Sequence, residues 1–267
     1  MRWHLLTTLR LGLRNRTVLL LAIIGLLAML SALLASEFSG RQPATVALDT
    51  GISGIRIIGA LLVLFWAQEL FGRETEHGAL ISTLAYPVPR SHYVLGRFFG
   101  VSLLSAGSVA FFGLLLAGLG WAAGIGYDQS TPINNGWALI PWGVSLWLDL
   151  LAVTAFAWLM ASLSTTPFLP FALGLVFAWA GRSLASVMGY LETGKGAMER
   201  MEGTFQPVLD GLLWLLPDLS RLDLRTGVLY GQWPEPGVLA LTVLNALGYI
   251  ALLLGLAVWR FNRREFA

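Results

Sequence analysis

The chain has 267 residues, 56% of them hydrophobic and 12% charged, with a formal net charge of +2. An ordinary soluble domain carries about 25% charged residues, so half that share, with a mean hydropathy of +0.71, excludes a water-facing globular surface. The near-neutral balance, without a basic stripe, excludes nucleic-acid binding, and the absence of cysteine removes disulfides and thiolate chemistry.

Met1–Arg16 reads as an amphipathic interfacial helix. Leu5, Leu6, Leu9 and Leu13 share one face, and Thr7, Arg10 and Arg14 another. Such a helix lies along a leaflet. Six apolar runs follow: Thr17–Ser36, Ile52–Phe71, Val94–Gly124, Pro141–Leu163, Phe168–Met188 and Val238–Trp259. Each meets the roughly 20 residues a helical span needs. None alternates as a barrel strand would, so an all-α membrane protein with six transmembrane helices is expected. The first run exceeds the h-region of a cleaved signal, about 7–15 residues, and is read as a retained span.

Six spans place both termini on one side. Arg2, Arg10, Arg14 and Arg16 precede the first span, Arg73, Arg90 and Arg97 flank the second loop, and Arg260, Arg263 and Arg264 follow the last. Positive-inside bias assigns this side to the cytoplasm. The opposite loops carry Glu37, Asp49, Asp128, Glu192, Glu199, Glu202, Asp210, Asp218, Asp223 and Glu235. The expected location is the inner (cytoplasmic) membrane, multi-pass, as a single permease domain over residues 1–267.

Loop 72–90 is the clearest functional lead. Arg73, Glu74 and Glu76 would open a helix, with the acids favourably at its N-terminus. Gly78 follows, then Leu80, Ile81 and Leu84 form an apolar stripe, and Pro87 and Pro89 stop it. A helix lying along the surface could plug into a partner's groove; a solvated hairpin loop fits the same residues.

Segment 189–237 is the longest non-spanning stretch. Within it Pro207–Leu216 is strongly apolar but too short to span. A short re-entrant outer helix is expected, with Leu212, Leu213, Leu216 and Pro217 as an outer gate; a helix resting on the bilayer is the alternative. Inside the spans, Arg56, Asp149 and Arg182 are functional candidates because charge is costly at that depth. Asp149 and Arg182 lie at matching depth on consecutive antiparallel spans, so an ion pair is expected, with Arg56 as the alternative partner; separate snorkelling of each is the bland reading.

No catalytic constellation is present. There is no phosphate-binding Gly-x-x-x-x-Gly-Lys-Ser/Thr loop, no His-Glu-x-x-His helix and no Gly-x-Ser-x-Gly elbow. His4, His77 and His92 lack zinc spacing, and the sole lysine, Lys195, is in an outer loop. Met188, Met198 and Met201 are the only thioethers near the outer face, and methionines more often fill packing gaps. No metal site and no cofactor are expected in this chain.

The run Glu74-x-Glu76-x-Gly78-x-Leu80-x-x-x-Leu84-x-x-Pro87-x-x-Arg90, followed by Gly96-Arg97, resembles the loop after the second span of ABC-2-type transporter permeases. The basic N-terminal helix, Trp214-Leu215-Leu216-Pro217-Asp218-Leu219 and the tail Phe261-x-Arg263-Arg264-Glu265-Phe266 fit the same family. The last two look nearest the multi-copper enzyme maturation branch, the permease of the nitrous oxide reductase accessory transporter. The resemblance implies a type V exporter-like homodimer in the lipid bilayer. It implies a separate cytoplasmic ATPase subunit that binds ATP and magnesium, and a coupling helix over Glu74–Tyr86. The function implied is ATP-driven export. An alternative is mechanotransmission to an extracytoplasmic partner protein, as in enzyme maturation, with nothing translocated; an intramembrane enzyme ranks last.

Overall fold

The computed structural model describes residues 2–14, 16–72, 90–125, 136–164, 166, 168–193 and 217–263. Among these it is helical throughout: α1 (Arg2–Arg14), α2 (Arg16–Glu37), α3 (Pro43–Ala67), α4 (Arg90–Ala123), α5 (Leu139–Leu163), α6 (Leu169–Thr193), α7 (Arg225–Tyr230) and α8 (Pro236–Asn262). A π-helical turn, Gln68–Gly72, extends α3, and a 3-10 turn, Leu219–Leu222, precedes α7. In lipid, helices satisfy every backbone group internally, which explains the absence of strands among the described residues.

α2, α3, α4, α5 and α8 are long and apolar enough to cross a membrane. α6 corresponds to the fifth expected span. It is 25 residues long, but its apolar stretch, Leu169–Leu184, falls short of that length. The helix itself runs through the whole of the expected Phe168–Met188 except its first residue, and Arg182, Ser183 and Ser186 lower the apolar character of its final turns. α3 starts nine residues before the expected Ile52. Pro43 sits in its first turn, where a missing N–H costs nothing. Ala44, Ala47 and Leu48 are buried there, so residues expected in a loop are core.

α3 and α5 form the centre. Leu48, Ile52, Val63, Leu64, Leu150, Val153 and Trp158 are fully buried on them. α2 packs mainly on α3, and α8 on α5, each on one side only. Their outer faces remain bare: Leu19, Leu20, Ile23 and Leu27 on α2, and Leu241, Leu244, Leu252 and Trp259 on α8. That is the surface a lipid-facing helix presents.

α1 lies against α4. Its contact ridge is Thr8 and Gly12, with Leu9 partly buried beside them. Thr8 is wholly buried, while Leu13 is 73% exposed. A Cβ at Gly100 would stand 2.6 Å from Thr8, and one at Gly12 2.4 Å from Leu104. The indole of Trp66 on α3 donates to the Gly12 carbonyl at 3.3 Å. The Leu6 and Leu13 face is left outward, where acyl chains can cover it.

Candidate functional site

Residues 217–231 of the 189–237 segment are packed into the bundle. Leu219, Leu222, Leu224, Val228 and Leu229 are all buried, each within 5% of full burial. Asp218 caps the 3-10 turn by accepting from Ser220 N at 3.2 Å. Gly231 closes α7 in the left-handed conformation, φ 69°, which only glycine adopts without strain. α6 admits the segment through Gly181, where a Cβ would meet Leu219 Cδ1 at 3.0 Å and Pro217 O at 3.2 Å. Residues 217–231 thus form a cap inserted into one end of the bundle.

The cap is held by charge. Asp149 on α5 is 1% exposed, ten residues past Leu139 and so about 15 Å along the helix. Arg182 on α6 donates to Asp149 Oδ2 through Nη2 at 2.7 Å and Nε at 3.0 Å. Its Nη1 donates to the backbone carbonyl of Arg56 at 3.0 Å. Arg56 on α3 approaches the same carboxylate oxygen with Nε at 3.5 Å. The other arms of Arg56 turn to the cap: Nη1 donates to Asp223 and Nη2 to the Leu219 carbonyl at 3.0 Å. Arg225 continues the chain, with Nε on Asp223 at 2.8 Å and Nη1 on Asp49 at 3.3 Å and on Ser53 Oγ at 3.2 Å. Ser145 on α5 donates to the Leu222 carbonyl at 2.5 Å.

Three arginines and three aspartates therefore alternate from the buried centre of the bundle to its surface, with formal charges that cancel. Cancellation matters because an isolated ion in a low-dielectric setting costs several kcal/mol even after relaxation, about what close opposite charges can return. Asp149 Oδ1 is buried without a hydrogen-bond partner. One carboxylate oxygen thus takes the donors of both arginines. The cluster holds no nucleophile beside a base. Among the described residues no group of three or more His, Asp or Glu is placed to hold a metal ion. What the arrangement can do is mechanical: α3, α5, α6 and the cap share one set of ionic contacts, so none moves without changing the others.

Of the residues singled out in the sequence, Arg56, Asp149 and Arg182 are brought together, and Pro217 sits where the cap begins, against α6. Arg73, Glu74, Glu76, Gly78, Leu80, Ile81 and Leu84 lie outside the described residues, as do Leu212, Leu213 and Leu216. Asp223 and Asp49 were seen only as loop charges, and Arg225 was not singled out at all. The available signal was Arg56, an arginine one turn inside an apolar run that needed more than one carboxylate oxygen.

A family model described as ABC-2 family transporter protein matches residues 12–266. The match is at the level of the family and does not reach the copper-enzyme maturation branch. No curated protein matches the chain.

Proposed function

The chain belongs to the ABC-2 transporter family, and we propose that it is the membrane subunit of an ATP-driven exporter, working as a homodimer with a separately encoded cytoplasmic ATPase. It is a transporter membrane subunit rather than an enzyme. The family match across residues 12–266 carries this reading. The missing phosphate loop supports it, since ATP chemistry must then reside in another chain. The arginines flanking loop 72–90 and both termini support an ATPase on that side, with the cap at the opposite end of the bundle. Force enters through Glu74–Tyr86, tilts α3 and α4, and alternately opens the space between two copies towards either side.

The test is co-purification. Replacing Leu80 and Leu84 together by aspartate puts charge into the docking groove, a cost of several kcal/mol. The ATPase should then be lost from the purified complex while the permease still inserts. Retention of the ATPase at wild-type stoichiometry would defeat the proposal.

A second reading has the same engine act on an extracytoplasmic partner, with nothing translocated. The observation favouring it is the cap itself, which is tied to α3, α5 and α6 and would carry their motion outward. Cross-linking of an outer protein to residues 217–231 in the presence of ATP would support it.

A further inference from the structure

A cleft of about 630 Å³ lies between the cap and α8, away from the charge cluster. Its lining changes character along its length. Arg221 and Asp218 come from the cap, and α8 contributes Asn245, Gly248, Tyr249 and Leu252. Arg221 is 66% exposed and spends only Nε on Asp218, at 2.9 Å. Its two Nη groups have no partner among the described residues. Asp218 is occupied by Ser220 and Arg221. The free hydrogen-bonding capacity at this level is therefore cationic, a fork suited to a phosphate or carboxylate.

Asn245 is the second observation. It lies nine residues past Pro236, about 14 Å along a helix that crosses a hydrocarbon core of roughly 30 Å. Its side chain is exposed and makes no hydrogen bond among the described residues. An amide at that depth is costly unless something brings it a donor or an acceptor. Beyond it the wall turns apolar, and at Gly248 there is no heavy atom within 4 Å of where a Cβ would stand. The order from Arg221 to Asn245 to Gly248 and Leu252 is cation, amide, open apolar floor.

We infer that this cleft binds one molecule of an anionic amphiphile. Its phosphate or carboxylate sits on Arg221, its ester or hydroxyl on Asn245, and its acyl chain runs past Gly248 to Leu252. The volume falls within the range of ligand sites, about 300–1,000 Å³, rather than that of a flat helix-to-helix seam. The inference rests on the family reading only in that the chain is embedded in a membrane, so its failure and that of the ATPase reading are separately visible.

The experiment uses the full chain in nanodiscs of equal parts phosphatidylglycerol and phosphatidylcholine, one of the two carrying a photoactivatable group on its acyl chain. Cross-links mapped by mass spectrometry should concentrate on Thr242–Leu252 with labelled phosphatidylglycerol. Gly248→Leu should fill the floor and reduce that labelling by roughly tenfold, the ratio for one lost contact of moderate strength. Gly255→Leu is the matched control: it lies on the same helix, also with nothing within 4 Å of its Cβ, and should leave labelling unchanged. Arg221→Gln should abolish the preference for phosphatidylglycerol over phosphatidylcholine. Equal labelling of wild type and Gly248→Leu overturns the inference. So does spontaneous disulfide formation between two Asn245→Cys copies, which would assign the face to a second copy.

Discussion

The two ends of the bundle are assembled by opposite means. At the cap end, Arg56, Asp149, Arg182, Asp223, Arg225 and Asp49 hold α3, α5, α6 and the cap by directed ionic contacts. At the other end, Gly12 takes the Leu104 side chain and Gly100 takes that of Thr8, which brings α1 close to α4, and Tyr93 stacks on Phe261 with centroids 5.8 Å apart. Helices in lipid gain nothing from the hydrophobic effect on meeting, so small residues and polar contacts are the two means of adhesion available. Ionic contacts predominate at the cap end and close packing at the α1 end, although Gly181 against Leu219 and the Trp66 hydrogen bond to Gly12 put some of each at both. Ionic contacts can be exchanged for water if the end opens, because every arm has a hydrated alternative. Close shape contacts have none. The two ends should therefore respond differently to salt and to substitution.

The largest effect should come from Asp149. Asp149→Asn leaves two buried guanidinium groups facing each other without their shared carboxylate, and should destabilise the protein by about 3–5 kcal/mol. Unfolding in detergent, followed by circular dichroism against rising denaturant, measures it. Asp149→Asn combined with Arg182→Gln should be less damaging than the sum of the two; strict additivity would show that the contact carries no coupling. At the opposite end, Gly100→Val should drive a side chain into Thr8 and cost about 1–3 kcal/mol. Thr8→Ala should restore much of that loss, and added salt should not change it. If both ends respond equally to salt, the distinction between them fails.

Much of this was legible in the sequence. Apolar length alone gives the spans, because the bilayer imposes it. The meeting of Asp149 with Arg182 follows from matched depth on consecutive helices. The cap was not legible. Leu219, Leu222 and Leu224 alternate with Ser220, Arg221 and Asp223 over too few residues to show a period, and their burial depends on Gly181, thirty-eight positions before Leu219. On α1 the outward Leu6 and Leu13 agree with a helix along a leaflet, while its packed side, Thr8 and Gly12, was not legible, because amphipathicity ranks leucine above threonine and glycine whereas close helix contact in lipid favours the small residues.

Smaller effects sharpen the same contrast. Trp66→Phe removes the hydrogen bond to the Gly12 carbonyl and should cost about 0.5–1.5 kcal/mol. It should also raise the proteolysis of residues 2–14 without altering the cap. Arg225→Gln is expected to be weakest. Its partner Asp49 is half exposed, and pairs of that kind are worth about 0–1 kcal/mol. Its signature should be kinetic: a cysteine placed at Thr226 should react faster with a water-soluble maleimide, and in the wild type salt should produce the same acceleration. An unchanged labelling rate would remove Arg225 from the set of contacts that hold the cap shut.

The π-helical turn Gln68–Gly72 bears on register. Each residue of an α-helix turns the chain by about 100°, and a π turn takes in one more residue than the α-helical turn it replaces. Deleting one residue between Gln68 and Gly72 would let α3 run on as a regular helix and leave the packing of Pro43–Ala67 untouched. Because the π turn closes the same circle with one residue more, the chain would still leave the bundle on nearly the same azimuth, whereas a deletion within Pro43–Ala67 would turn every later residue of α3 by about 100°. The π turn is thus a place where the chain can gain or lose a residue while the packed face of α3 keeps its register.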